Sequence, residues 1–297
     1  MINALSIDVE DYHNIVARDW IGREGPPTRA VVENTARLLE LLGRFNVRGT
    51  FFILGEVAEA FPQLVRDIAS AGHEVGVHGF YHHQVFKLTP AEFRDEVTRA
   101  KAVLEAITGA PVEGHRAPAF SIRPETRWAL DVLAETGFRY DSSIYPIRGR
   151  RYGWPGFPLH IHTVELKDGR RIVEAPLSTV SILGKRLPAC GGGYLRHFPT
   201  FVTVWAFRRI RRCRPVILYL HPYEIELDAP WPDMTGLDEP AVRRLQRFHK
   251  LQLRNRATVE GKIVRLLTLF PFAPLRDVIG DVLGEPGPSA QPPSAGR

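Results

Sequence analysis

Two cysteines, Cys190 and Cys213, in a chain of 297 residues exclude a disulfide framework and fit a reducing compartment. No apolar run approaches the roughly 18–20 residues that a membrane-spanning helix needs. Residues 1–8 lack a basic region followed by an apolar core, so a cytoplasmic protein without a cleaved signal is expected. No internal repeat stands out beyond an alternation of strand-like and helical segments, and no aromatic-rich nucleic-acid module accompanies the basic residues. Nucleic acid is therefore not an expected partner. The net charge of +6 is mild but uneven, because Arg208, Arg209, Arg211, Arg212 and Arg214 fall within seven positions. Such a run suits a solvated helix end or an anionic partner, including peripheral contact with the inner face of a membrane.

The apolar runs are short and recur. Residues 5–9, 49–54, 73–78, 112–116, 138–141, 172–175 and 216–220 read as strands. Helical spacing is present at residues 30–42, 63–70, 124–137 and 240–267, and Thr89, Pro90 and Glu92 start another helix with a capping box, ended at Gly109. About seven β-units joined by helices predict an α/β fold whose parallel strands close, or nearly close, into a barrel. Residues 1–283 are expected to form one domain, with insertions at about 148–215 that wall a cleft and a helical extension at about 240–267. Residues 284–297, rich in Pro, Ser and Gly, are expected to be disordered.

Six of the seven strands stop at an ionisable group. The first ends in Asp8, Val9, Glu10 and Asp11, the third in His78 and His82, the fourth in Arg116, the fifth in Asp141, the sixth in Glu174, and the last in His221. Apolar strands ending in such groups are the layout of a site at the carboxyl edge of a barrel. His78 and His82 lie four apart, a spacing at which two imidazoles can share one cation. One carboxylate with two imidazoles makes an open N/O site of the catalytic kind. A second carboxylate held off the metal is equipped to take a proton from water, and a histidine across the site to protonate a leaving amine. This is the equipment of metal-assisted hydrolysis of an amide or ester.

Together these stretches resemble the NodB-type polysaccharide deacetylases (carbohydrate esterase family four), in particular the subgroup associated with exopolysaccharide and exosortase loci. The resemblance is carried by residues 8–12, 49–55, 72–82, 116–121, 140–144, 191–194 and 220–222, nearly the whole chain. It implies a distorted (β/α) barrel of about seven parallel strands, the NodB homology fold. It also implies Asp8 as general base, Arg116 as its partner, His221 as catalytic acid, and His78 and His82 as ligands of one divalent metal, zinc first, with cobalt or nickel as alternatives. The family has two adjacent aspartates where this chain has Asp8 and Val9, so the metal carboxylate falls to Glu10 or Asp11. Strand alternation favours Glu10 and a loop starting at Val9 favours Asp11. Asp141, Glu174 and Tyr194 are candidates for sugar contacts, with core roles for the two acids as the alternative.

The expected function is removal of acetyl groups from N-acetylated sugars of a bacterial exopolysaccharide or of a lipid-linked glycan precursor. A cyclic amide or ureide hydrolase on the same fold and a catalytically silent carbohydrate-binding relative are the rival readings. His73 and Cys190 are expected to be structural, and His83 to point away from the metal pair.

Overall fold

The structure is a computed structural model that describes residues 1–149 and 152–284. In chain order its strands are β1 (Asn3–Val9), β2 (Thr50–Ile53), β3 (Glu74–Val77), β4 (Gly114–His115), β5 (Tyr140–Asp141), β6 (His162–Glu165), β7 (Arg171–Glu174), β8 (Thr179–Ile182), β9 (Lys185–Pro188), β10 (Ile217–Leu220) and β11 (Phe272–Ala273). The helices are α1 (Tyr12–Val16), α2 (Arg29–Arg44), α3 (Gly55–Ala60), α4 (Pro62–Ser70), α5 (Pro90–Thr108), α6 (Trp128–Glu135), α7 (Gly192–His197), α8 (Thr200–Ile210), α9 (Glu239–Leu253), α10 (Val259–Leu269) and α11 (Leu275–Leu283).

The main sheet runs β10-β1-β2-β3-β4-β5-β7-β6, with β11 beside the start of β1. All its pairings are parallel except that of β6 with β7. The seven strands expected from sequence are present, and the sheet curls into a half-barrel with helices outside, the distorted (β/α) barrel anticipated. Between β7 and β10 the wall is completed by loop. The Ile217 N–H donates to Ser178 Oγ (2.8 Å), and Gly191 forms an isolated bridge with Tyr219.

Alternation along the strands divides the core. Leu5, Ile7, Val9, Phe51, Ile53 and Val77 face outward into one cluster with Val31, Leu38, Val65, Phe93 and Val97 of the helices. Ala4, Phe52, Tyr140, Val173, Ile217 and Tyr219 face the concave side. Ser6 and Asp8 share the inner parity, so the sheet itself delivers polar groups to the interior. Gly76 must be glycine, because a Cβ there would lie 2.6 Å from Phe52 Cδ1.

Three features differ from the sequence reading. The inserted region contains an antiparallel partner strand, β6, and a separate β8–β9 hairpin, whose short mixed-polarity strands carry little period-two signal. The segment 240–267 is two helices, broken where Asn255 takes a left-handed conformation (φ 65°). The segment 124–137 starts with a single 3-10 turn before α6. The expectation for residues 285–297 lies outside the described residues. Among the described residues, no helix is long and apolar enough to cross a membrane.

Candidate active site

Glu10 follows β1 directly and His78 follows β3. The Oε2 atom of Glu10 lies 3.3 Å from Nε2 of His78 and 2.9 Å from Nε2 of His82. All three side chains are buried, and their ligand atoms lie within 4.8 Å of one another. The pair sits on a loop, with no helical turn beneath it. Gly79 (φ 78°) and His82 (φ 61°), both left-handed, turn the chain back so that the rings converge.

The donor set fits a cation. His78 Nδ1 bonds the Arg116 carbonyl at 2.9 Å. A carbonyl only accepts, so Nδ1 carries a hydrogen, and Nε2 is the nitrogen turned toward Glu10 and free to ligate. A carboxylate oxygen and two ring nitrogens then converge, an arrangement that a shared divalent ion satisfies. His82 Nδ1 is buried with no hydrogen-bond partner. Burial favours the neutral form of Glu10, but the charges of His82 and His221 outweigh it and hold the carboxyl well below its usual range. Asp11 is elsewhere. Its Oδ1 accepts from the His13 N–H (2.9 Å), capping α1, and its Oδ2 accepts from the Thr28 N–H. Asp11 as a metal ligand is thus corrected: both oxygens are taken by backbone donors, and Glu10 stands beside the histidines.

Asp8 is 1% exposed and Arg116 fully buried. Arg116 Nη1 donates to Asp8 Oδ1 (2.8 Å) and Ser6 Oγ (2.7 Å), Nη2 to Ser142 Oγ (2.9 Å), and Nε to the Ser142 carbonyl (2.9 Å). The guanidinium also lies 4.4 Å from the Phe52 ring centroid, on the ring that Gly76 accommodates. One oxygen of Asp8 is therefore fixed, and the other faces His221 Nε2 at 3.9 Å. The His221 ring stacks on Tyr223 (4.9 Å, 14°). Burial pulls its pKa down, but Glu10, Glu224 and Asp8 outweigh this and hold it up at about 9. A cation bound at Glu10 would oppose the first of these contributions.

Asp141 and Glu174 are not at the cavity, which corrects their assignment as sugar contacts. Both are fully buried. Asp141 Oδ1 accepts from His115 Nδ1 (2.7 Å) and Ser143 Oγ (2.7 Å), and Oδ2 from the Ser143 N–H (3.0 Å). Burial, with the neighbouring Asp141 charge, pushes the Glu174 carboxyl well above its ordinary range, so it keeps its proton against Asp141. A raised folded-state pKa means this group's contribution to stability is complete below the unfolded value of about 4.5 and fades as pH rises. Glu174→Gln retains a donor and does not titrate. Thermal melts should show the variant gaining on the wild type between pH 5 and pH 9, by up to about 1.4 kcal/mol per pH unit. A variant equally destabilised at every pH would contradict the protonated state.

The site opens into a cavity of about 520 Å³ whose lining includes Asp8, Glu10, His78, His82 and His221, with Tyr194 on the wall. Tyr194 and Tyr152 join through their hydroxyls (2.8 Å). Arg196 and Tyr152 of the lining carried no sequence signal: one is a lone arginine after a glycine run, the other lies in an irregular stretch. His73 accepts the Gly49 N–H (3.1 Å), and burial brings its pKa down to about 4. His83 turns away to Glu96 (2.7 Å). Cys190 is buried, which pushes its thiol up and leaves it inert as a nucleophile. Of the arginine run, Arg211 donates to the Met1 carbonyl and Arg214 to the Thr179 carbonyl, while Arg208, Arg209 and Arg212 are exposed.

This half-barrel gathers a carboxylate and two imidazoles, a set that could hold a metal ion, at the carboxyl ends of its strands. Residues 24–140 match the polysaccharide deacetylase family. Residues 142–280 match a domain of unknown function, DUF3473. The main sheet draws strands from both matched segments. A peptidoglycan-N-acetylglucosamine deacetylase of Bacillus cereus is 34% identical over 101 residues, 34% of this chain and 37% of that protein. A chitooligosaccharide deacetylase of a Bradyrhizobium species is 36% identical over 101 residues, 34% of this chain and 43% of that protein. The matched part thus spans less than half of either curated relative. A solved structure from Mycobacterium smegmatis, of a protein assigned to the polysaccharide deacetylases, shares the fold at a TM-score of 0.60 and 22% identity, covering 98% of this chain and 93% of that one.

Proposed function

We propose that this chain is a metal-dependent deacetylase acting on N-acetylated sugars of a bacterial exopolysaccharide or its precursor. The observation that carries the reading is the convergence of Glu10, His78 and His82 with the Asp8–Arg116 pair and His221 in one cavity. The names of the relatives, deacetylases of peptidoglycan and chitooligosaccharide, support the substrate class. We take residues 1–283 as one domain, since strands from both matched segments pair in one sheet.

Glu10, His78 and His82 would hold the ion, with zinc expected from the N/O donor set. A divalent ion there supplies an electrophile for the acetyl carbonyl and lowers the pKa of nearby water. Asp8 removes a proton from the attacking water through its free oxygen while Arg116 keeps the other oxygen in place. His221, protonated at neutral pH in the ion-free site, delivers a proton to the departing amine nitrogen. Tyr194 offers a ring and hydroxyl to the sugar from the cavity wall. A panel of N-acetylated oligosaccharides and cyclic ureides tests this. Acetate release from the sugars alone is expected. Ureide cleavage would favour the rival hydrolase, and glycan binding without acetate release the silent binding protein.

We also propose peripheral contact with an anionic lipid surface. Leu183 at the tip of the β8–β9 hairpin is 98% exposed, and α8 presents Phe201 and Trp205 followed by Arg208, Arg209 and Arg212 on one exposed stripe. From residue 175 to residue 223 there is no Asp or Glu, against eight Lys and Arg. The hairpin adjoins α8 through Arg214 and Thr179 (2.8 Å). Aromatic and apolar tips beside arginines suit the headgroup region. Flotation should recover the protein with phosphatidylglycerol vesicles and not with phosphatidylcholine. Arg208→Glu/Arg209→Glu should weaken that recovery at least tenfold, and equal recovery with both lipids would remove the proposal.

A further inference from the structure

Among the described residues three arginines are buried, Arg116, Arg196 and Arg256, and they differ in what surrounds the guanidinium. Arg116 has Asp8 and four hydrogen bonds. Arg256, 1% exposed, donates to the carbonyls of Gln252 and Glu226, and its guanidinium carbon lies 5.1 Å from the Tyr12 ring. Arg196 is 4% exposed and lines the candidate active-site cavity. Its Nε is buried without a hydrogen-bond partner. Among the described residues, no carboxylate pairs with it and no aromatic ring receives it. Of its nitrogens only Nε is shut away without a partner, so the guanidinium presents its terminal nitrogens to the cavity, where a ligand can reach them.

The backbone that carries this side chain is held in place. Lys262 Nζ donates to the carbonyls of Leu195 (2.9 Å), Arg196 (3.1 Å) and Phe198 (2.8 Å), pinning the end of α7. The guanidinium lies over Gly193, where a Cβ would be in ordinary contact with Nη2 at 3.5 Å. The acids of the same cavity are committed elsewhere: Asp8 to Arg116, Glu10 to the histidines, and Glu224 to the His221 N–H (3.2 Å). No acid of the cavity is left for Arg196, so an anionic group on the substrate is the counter-charge open to it.

We infer that Arg196 reads an anion, and that the N-acetylated sugar this site takes carries a carboxylate or a phosphate within reach of the reacting acetamide. The inference rests on the deacetylase reading for the word sugar, and on the uncompensated arginine for the charge. A planar guanidinium binds either anion through paired hydrogen bonds. Acidic sugars and sugar phosphates are therefore the two sources to separate.

Direct binding and acetate release would be measured on the zinc-loaded protein with three probes: N-acetylglucosamine oligomers, N-acetylmuramic acid and N-acetylglucosamine 1-phosphate. The wild type should bind at least one charged probe roughly ten- to hundredfold more tightly than the neutral one, and which one identifies the source. Arg196→Gln should erase that preference, and Arg196→Lys should restore part of it. Equal affinity of the wild type for all three probes would overturn the inference, as would an Arg196→Gln loss shared equally by charged and neutral probes. If Arg196→Gln does not fold, the wild-type preference and the Arg196→Lys variant decide. Charge-selective binding without acetate release would keep the role of Arg196 and sink the deacetylase reading. Acetate release without charge selectivity would do the reverse.

Discussion

Asp8→Asn is expected to lower kcat by roughly 10²–10⁴-fold while leaving the fold intact, as loss of a positioned general base does. The amide is isosteric and can still accept from Arg116 Nη1, now 2.8 Å from Asp8 Oδ1, but it cannot take a proton. Its neutral side chain leaves the buried Arg116 charge uncompensated, so a fall in thermal stability of about 3–5 kcal/mol accompanies the change. His221→Ala removes the group beside the other Asp8 oxygen and is expected to cost a similar factor in kcat, with less effect on stability because the ring is held by stacking on Tyr223. Losses in the double variant should fall short of the product of the single losses, since base and acid serve one reaction. A double variant with near-normal turnover would remove both assignments.

His78→Ala/His82→Ala is the second large effect. Metal analysis of the purified wild type, incubated with zinc and desalted, should return about one ion per chain, and the variant close to none. The two rings supply both nitrogen atoms of the three-atom cluster, and a single carboxylate does not hold a divalent ion at micromolar concentration. Occupancy also stabilises the fold: at free zinc one hundred times Kd the gain is about 2.7 kcal/mol. A chelator should therefore lower the Tm of the wild type and leave that of the double variant unchanged.

How much of this was legible in the sequence depended on what kind of signal each residue left. Most of the seven strands were readable because they are short β-branched or aromatic runs between turn residues, and β1 alternates Leu5, Ile7 and Val9 on its outer face with Ser6 and Asp8 on the inner. The endings were readable because a charge after an apolar strand has few places to go. Asp8, Glu10, His78, His82, Arg116 and His221 accordingly meet at one edge. The same signal misled at Asp141 and Glu174. A strand ending marks the edge of the barrel but not which side of it a side chain faces, and these two carboxyls turn into the wall with His115 and the Ile144 N–H. The choice between Glu10 and Asp11 turned on where β1 stops and α1 begins. Asp11 caps that helix, a five-residue element too short to leave a periodic signal in the sequence. Arg196 was invisible because its meaning lies in what is absent around it, and an absent partner is a property of packing alone.

The central claim is that the Glu10–His78–His82 site and its neighbours hydrolyse an acetamide. The most direct measurement is simultaneous assay of acetate and free amine from an N-acetylated oligosaccharide, with zinc-loaded wild type and with His78→Ala/His82→Ala. The account predicts equal molar amounts of acetate and amine from the wild type and neither from the variant. Equal product from both proteins, or none from a wild type shown to hold its ion across neutral and charged sugars, would contradict it.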